Sequence, residues 1–374
     1  MNLTDVDLSG RKVLVTGGTG FIGGRLVERL VLECNAKVRV MMRRYARASR
    51  VTRFPIDIVL GDVTDRRDVE RAVDGCEIVF HCAYGNEGSE RMQRLVNVEG
   101  SRNILEAAIQ AKVKRVVHLS TVMVYGITPD GDCYETNPRR YCGNVYADSK
   151  LDAEKICLSY ARGHGCPVVI LQLTAVYGPF APVWTINVLR QLRRKRLILV
   201  NGGDGICNSV YVDDAVSAIL QSAVTEDIVG EAFIISGAGC ITWREFYRRY
   251  ERMLGISGNG TVSMSAGEAE RYYYSLKRRN ILRRIARSVL PEQIRTPLKN
   301  AFMKNSIDAQ QSTIAKSKKP IISLEPFEIK FYATETRMHI EKAKQMLGYQ
   351  PAFDIDSGMW LTEQWARWAN LLNG

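Results

Sequence analysis

An α/β fold built on a parallel sheet is what the sequence predicts, and three observations predict it. Short apolar runs recur through the first half, separated by segments with apolar residues at helical spacing, an alternation that covers a parallel sheet with helices on both faces. The first run, Val13-Leu14-Val15, leads directly into Thr16-Gly17-Gly18-Thr19-Gly20-Phe21-Ile22-Gly23. After that turn comes Arg25-Leu26-Val27-Glu28-Arg29-Leu30-Val31-Leu32, apolar at helical spacing.

Strand, glycine turn and helix together open a doubly wound, Rossmann-type sheet. Gly17 can take the tight turn, Gly20 lets the backbone approach a pyrophosphate, and Gly23 lets helix and strand pack closely. Thr19, Phe21 and Ile22 share this turn, where unpaired N–H groups at the helix start face phosphates. Further strands are expected at residues 38–42, 56–60, 77–81, 115–119 and 168–173, with helical patterns at 68–73 and 101–111. Right-handed crossovers then bring the strand C-termini, and the ligand, to one edge. Past Gly178-Pro179 the pattern loosens. A helix is expected at 186–192, a short strand at 197–200, and a helix beginning near Val210 that returns to the main sheet. A final strand, 232–235, leads to a helix at 243–254. A strand at 328–332 and a helix at 340–347 follow, and Trp360, Trp365 and Trp368 are expected to pack into a core. The expected division is a cofactor-binding domain over 1–180, with 205–225 returning to it. A smaller, mainly helical C-terminal substrate lobe takes 181–204 and 226–374, with a basic insertion at 265–325.

The 374 residues are 46% hydrophobic, enough to bury a full core. No stretch approaches the roughly 20 continuous apolar residues of a membrane span, and the N-terminus lacks a basic-then-apolar secretory pattern. Nine cysteines without CxxC spacing and only four histidines indicate neither a zinc site nor a disulfide frame. No metal is expected, and a reducing, cytoplasmic setting is. The formal charge of +12 favours anionic ligands or surfaces.

The chemistry centres on Tyr146-Ala147-Asp148-Ser149-Lys150. Four residues apart, Tyr146 and Lys150 share a helix face. A lysine cation beside a phenol is expected to lower its pKa and make it a proton donor or acceptor near neutrality. Ser120-Thr121 follows the fifth strand on the ligand edge, where either hydroxyl could hold a substrate oxygen beside Tyr146. These residues combine with Asp62, His81-Cys82-Ala83, Asn97-Val98-Glu99-Gly100, Val176-Tyr177-Gly178-Pro179 and Tyr211-Val212-Asp213-Asp214. With them the chain resembles the extended short-chain dehydrogenase/reductase family, of the NAD-dependent epimerase/dehydratase type, over nearly its whole length. The resemblance implies Tyr146 as acid/base, Thr121 as its hydroxyl partner, and Lys150 as a further bond to the nicotinamide ribose. It places Asp62 and Val63 at the adenine, and Cys82 and Ala83 along the cofactor. Asn97 and His81 are read as supporting residues. NAD-binding members usually end the second strand with an acid, whereas here Met42 is followed by Arg43-Arg44, whose planar cations suit a 2′-phosphate. NADP is therefore the preferred expectation over NAD, against the alternative of two solvated arginines.

Many members act on nucleotide-diphosphate sugars. They often carry Asn where this chain has Ala175, Arg where it has Cys207, and Leu-Arg where it has Leu171-Gln172. These differences read as lost diphosphate contacts. The 4,6-dehydratases carry Asp-Glu after the catalytic Thr; Val122-Met123 stands there instead, against that reaction. The leading expectation is an enzyme moving hydride between nicotinamide C4 and a hydroxyl or keto carbon, of an activated sugar foremost, as epimerase or keto-reductase. One rival is a dehydrogenase or reductase of a hydrophobic or lipid-linked alcohol, of the sterol-type branch. The other is a non-catalytic NADP-binding sensor or scaffold, against which the intact Thr121, Tyr146 and Lys150 argue. The segment 271–304 carries ten Lys or Arg and one acid, Glu292. As a helix it would align Ile281, Leu282, Ile285, Val289 and Leu290. Three readings stay open: a solvated packed helix, a phosphate-gripping lid, and a peripheral membrane contact. No motif points to nucleic acid. The partner expected is a small-molecule substrate, a phosphorylated sugar first, and a homodimer is allowed for. The polar stretch 305–319 reads as a loop.

Overall fold

The structure is a computed structural model that describes residues 6–85, 88–128, 130–256, 258–289 and 323–373, by backbone alone at 47 and 282–289. Its main sheet has seven strands: β1 (Lys12–Thr16), β2 (Lys37–Met42), β3 (Asp57–Leu60), β4 (Ile78–His81), β5 (Arg115–Thr121), β6 (Val168–Leu173) and β7 (Ala232–Ile235). They lie in the order β7-β6-β5-β4-β1-β2-β3, every neighbouring pair parallel. This is the doubly wound Rossmann-type order, and it reverses between β1 and β4. Every residue of β5 and β6 is buried, as continuous apolar strands covered on both faces must be. Helix α1 (Phe21–Leu32) buries Leu26, Val27 and Leu30 along one face.

The chain divides into two compact units. One comprises Met1–Asn187, Ile206–Ile241 and Glu335–Gly374, the other Val188–Gly205 and Thr242–Thr334. This corrects the expected boundary, which assigned everything past 226 to the lobe. β7 completes the main sheet beside β6. The C-terminal segment is tied to the first unit by polar contacts that carry no sequence periodicity. Asp214 accepts hydrogen bonds from the Ala352 and Phe353 amides at 2.7 and 3.2 Å, and the Tyr349 hydroxyl donates to the Ser236 carbonyl at 2.8 Å. The C-terminal helix, Ile355–Trp368, corrects a second expectation. Trp360 and Trp368 stand exposed at 60% and 81%, and only Trp365 packs, against Phe180.

The second unit pairs two short parallel strands, Leu197–Val200 and Thr261–Met264, around Ile198, Val200, Met264, Ala269 and Ile329. The expected strand at 328–332 is a helix, Pro326–Ala333. Its apolar residues mimic a strand, but Pro326 occupies the first turn and Glu325 and Glu328 form a reciprocal capping box, both of which start helices. The basic helix runs Ala266–Val289. Ile281 on it is exposed. The side chains of Leu282, Arg283, Arg284, Ile285, Arg287 and Val289, and all of residues 290–304 and 305–319, lie outside the described residues. Among the described residues no helix is long and apolar enough to cross a membrane.

Gly358, on the C-terminal helix, leaves no room for a methyl group, since a Cβ would collide with the Tyr177 hydroxyl. We predict that Gly358→Ala destabilises the protein by about 1–3 kcal/mol, the usual cost of overpacking. Urea titration checks it, and a stability equal to wild type would refute this close approach.

Candidate active site

The site begins at the turn after β1. Gly17 adopts φ +67°, and a Cβ there would lie 2.7 Å from the Cys82 carbonyl carbon and the Ala83 nitrogen. A Cβ on Gly23 would run into the Gly17 carbonyl. Gly20 is the N-cap of α1, with no side-chain cap and no acid in the first turn. The amides of the first turn, among them Phe21 and Ile22, therefore await an anion, and Thr19 sits half-buried within the same turn. This cradle fits the diphosphate of a dinucleotide.

A buried relay fixes the β4 side of the turn. Ser101 Oγ donates to the Asn97 carbonyl at 2.7 Å and faces His81 Nε2 at 3.2 Å. His81 Nδ1 lies 2.8 Å from Thr16 Oγ1, which accepts from the Ala83 amide at 3.3 Å. Since Ser101 spends its proton on Asn97, the ring must carry its hydrogen on Nε2, leaving Nδ1 to accept from Thr16. Burial holds the imidazole neutral, its pKa pushed down to about 3. His81 thus supports the loop carrying Cys82 and Ala83. Asn97 clamps that loop one step further on, accepting from the Gly85 amide at 2.7 Å. It donates to the Gly85 carbonyl and to Ser149 Oγ at 3.2 and 2.9 Å.

At the end of β3, Asp62 Oδ1 accepts from the amide and hydroxyl of Thr64 at 3.0 and 2.9 Å, and Val63 is buried beside it. Arg43 and Arg44 follow β2 on the surface, both exposed.

The helix Val145–His164 is capped by Asn144, whose side chain accepts from the Ala147 amide at 3.1 Å, and ends at Gly165 in the left-handed region, φ +63°. Asp148 holds the incoming loop by accepting from the Cys142 and Gly143 amides at 2.9 and 3.1 Å. This entry sets the Tyr146 phenol beside the Thr121 hydroxyl. Lys150 lies buried behind them, donating to the Leu119 carbonyl at 2.8 Å. The electrostatics differ from expectation. Burial raises the Tyr146 pKa, with the Tyr84 ring adding to the rise and only the Thr121 hydroxyl opposing it. Burial also pushes Lys150 down to about 8. The ammonium is turned toward a backbone carbonyl, and the phenol is kept protonated.

Three features escaped the sequence reading. Tyr84 lies edge-on to Tyr146, with ring centroids 6.0 Å apart. Glu154, one helical turn past Lys150, is fully buried; it accepts from Ser120 Oγ at 2.5 Å and pairs with Arg139 at 2.9 Å. The Tyr146, Lys150, Glu154 spacing was the available signal. Gln172, finally, donates to both Glu154 oxygens and accepts from the Tyr125 hydroxyl at 2.6 Å. Position 172 faces the core, so its difference from the family pattern is not a lost diphosphate contact. Ala175 and Cys207 are likewise buried and carry no cation.

The model of the NAD dependent epimerase/dehydratase family matches residues 13–235. The chain belongs to this family. A protein named "Putative dihydroflavonol 4-reductase" from Synechocystis is 36% identical over 201 residues, half of this chain and 57% of that protein. The chain thus spans little more than half the length of that relative. A UDP-N-acetyl-alpha-D-glucosaminuronate decarboxylase of Bacillus cytotoxicus is 31% identical over 241 residues, 59% of this chain and 73% of the relative. A solved dTDP-glucose 4,6-dehydratase of Streptomyces venezuelae, with NAD and TYD bound, superimposes with a TM-score of 0.70. The overlap covers 95% of this chain and 97% of that one at 21% identity, a likeness of fold.

Lys150 yields a pH signature. Its folded pKa of about 8 lies below the ordinary 10.5. Between those values the unfolded chain holds a proton that the folded chain lacks, so this residue's contribution to stability rises with pH across that window. The stability of wild type relative to Lys150→Met is predicted to increase from pH 8 to 10.5, as read by denaturant unfolding at a series of pH values. A difference independent of pH would show that burial does not lower the Lys150 pKa.

Proposed function

We propose that this chain is an NAD(P)-dependent oxidoreductase or epimerase acting at a hydroxyl or keto carbon. The observation that carries the proposal is the Thr121–Tyr146 hydroxyl pair backed by buried Lys150, on the sheet edge that also bears the uncapped glycine turn. A bound nicotinamide dinucleotide would supply or accept hydride at C4. Gly17, Gly20, Phe21 and Ile22 would hold its diphosphate, Asp62 and Val63 its adenosine end, and Cys82 and Ala83 the stretch between. Thr121 orients the substrate oxygen. Tyr146, held protonated by burial, donates its proton as that oxygen gains charge, the direction of keto-reduction. Lys150 offers its ammonium to the cofactor ribose and to the phenolate left behind.

The leading substrate class is an activated, phosphorylated sugar, as the name of the decarboxylase relative suggests. A second reading, a hydrophobic ketone or alcohol, is favoured by the absence of a cation at Ala175 and Cys207 and by the name of the reductase relative. A cytoplasmic setting is proposed with either, on the nine unpaired cysteines. Mass spectrometry of small molecules released from the purified protein separates the mechanisms. Retained, oxidised cofactor marks an epimerase. An empty protein that consumes NADPH with keto-sugars, or with apolar ketones, marks a reductase and names the class. A protein that neither retains cofactor nor consumes NADPH with either class of ketone would refute the proposal.

Tyr146→Phe is expected to lower turnover by about 10²–10⁴ while leaving cofactor affinity nearly unchanged, because only the ionisable oxygen is removed. Undiminished turnover would take Tyr146 out of the mechanism. For the coenzyme, we expect tighter binding of NADP(H) than NAD(H), reversed by Arg43→Asp. Calorimetry with both dinucleotides measures this, and equal affinities before and after the exchange would mark Arg43 and Arg44 as surface charge only.

A further inference from the structure

The basic helix Ala266–Val289 is anchored at its first turns. Ser265 caps it, accepting from the Glu268 amide at 3.3 Å while its own amide donates to the Glu268 carboxylate at 2.8 Å. The Ala266 amide donates to Asn201 Oδ1 at 2.9 Å. Ala269 is buried in the core of the second unit, and Ala266 and Tyr272 pack against that core. Tyr273 and Leu276, at helical spacing from them, are half-buried. From Lys277 to Ile281 every side chain is exposed. The apolar residues of this part lie on the opposite face. Tyr274 and Ile281, 51% and 48% exposed, stand two turns apart in one row. Helical spacing puts Arg271 and Arg278 along one flank of the row and Lys277 along the other. Residues 271–281 hold four cations and no acid. A helix face that met only water would be polar, whereas this one sets an aromatic and an aliphatic side chain between cations.

We infer that this outer face docks on an anionic lipid bilayer. Tyr274 and Ile281 enter the headgroup boundary, and the long stems of Arg271, Lys277 and Arg278 carry their charges to the lipid phosphates on either side. The cations select an anionic surface. The apolar row selects a bilayer over a nucleic acid, since contacts to a phosphate backbone would leave Ile281 in water. The face belongs to the second unit and owes nothing to the proposed cofactor site, so it serves the protein whichever substrate class the enzyme takes.

Co-sedimentation of the full chain with vesicles tests this, one set made of phosphatidylcholine alone and one of equal parts phosphatidylcholine and phosphatidylglycerol. The protein is expected to sediment with the second set only, and less so as salt rises past about 0.1 M, where exposed charges are screened within about 10 Å. Lys277→Gln/Arg278→Gln should weaken binding about 30-fold, the scale of two cations at an anionic surface. Ile281→Ser, which leaves the charge unchanged, should weaken it about tenfold. Lys37→Gln/Arg91→Gln, which removes two exposed cations of the first unit, should bind as wild type does. All these positions are exposed, and thermal melts confirm that each variant is folded. Failure of wild type to bind anionic vesicles, or equal binding to neutral ones, would overturn the docking face. So would an equal loss in Lys37→Gln/Arg91→Gln, which would make net charge the cause. Full binding by Ile281→Ser would overturn it as well, and displacement of the protein from vesicles by an RNA oligonucleotide would then assign the face to nucleic acid.

Discussion

Everything in the first unit is built around the contact of two bare backbones, the turn after β1 and the end of β4. At Gly17 there is no space for even one carbon between them. The approach is held by a relay in which each polar atom has a single partner to serve. Ser101 serves Asn97, His81 serves Ser101, Thr16 serves His81, and Ala83 serves Thr16. Buried polar groups are costly unless satisfied, and here the satisfied chain fixes a histidine tautomer and the path of a loop together. Asn97 extends the same logic to Ser149, between Tyr146 and Lys150. The glycine turn and the helix that carries Tyr146 and Lys150 therefore share one frame.

Burial, rather than pairing, sets the ionisation of Tyr146 and Lys150. Tyr146 is raised and Lys150 lowered by the same cause, loss of water. The helix spacing that brings their side chains to one face does not by itself bring the charges together, because the Lys150 ammonium has a backbone carbonyl to satisfy. A bound ribose would offer it a second partner.

The sheet was legible because parallel, doubly covered strands leave short apolar runs in regular alternation with segments of helical spacing. The glycine turn was legible because close approach and left-handed φ demand particular residues. What was missed depends on long-range polar contacts, which have no period. Asp214 reaching Ala352 gives no local signal, and so the C-terminal segment was placed in the wrong unit. The helix Pro326–Ala333 was misread because its apolar run outweighed a capping box that was plain in Glu325 and Glu328. Gln172, read from the sequence as a missing ligand, serves a buried carboxylate that the helix Val145–His164 supplies to the β6 strand. Of the proposed site residues, Thr121, Tyr146 and Lys150 could be read from spacing. Tyr84 could not, since only the folded chain brings its ring to Tyr146.

The Asp214 contact bears on how the protein is made. Its carboxylate, which burial holds at about 6, waits for amides 138 residues further along the chain. During synthesis the second unit's segments emerge in between, so the first unit cannot close in the order in which it leaves the ribosome. Until residue 352 is available, a carboxylate destined for the interior must stay hydrated. Completion of the first unit is thereby gated by translation of residues 352 and 353.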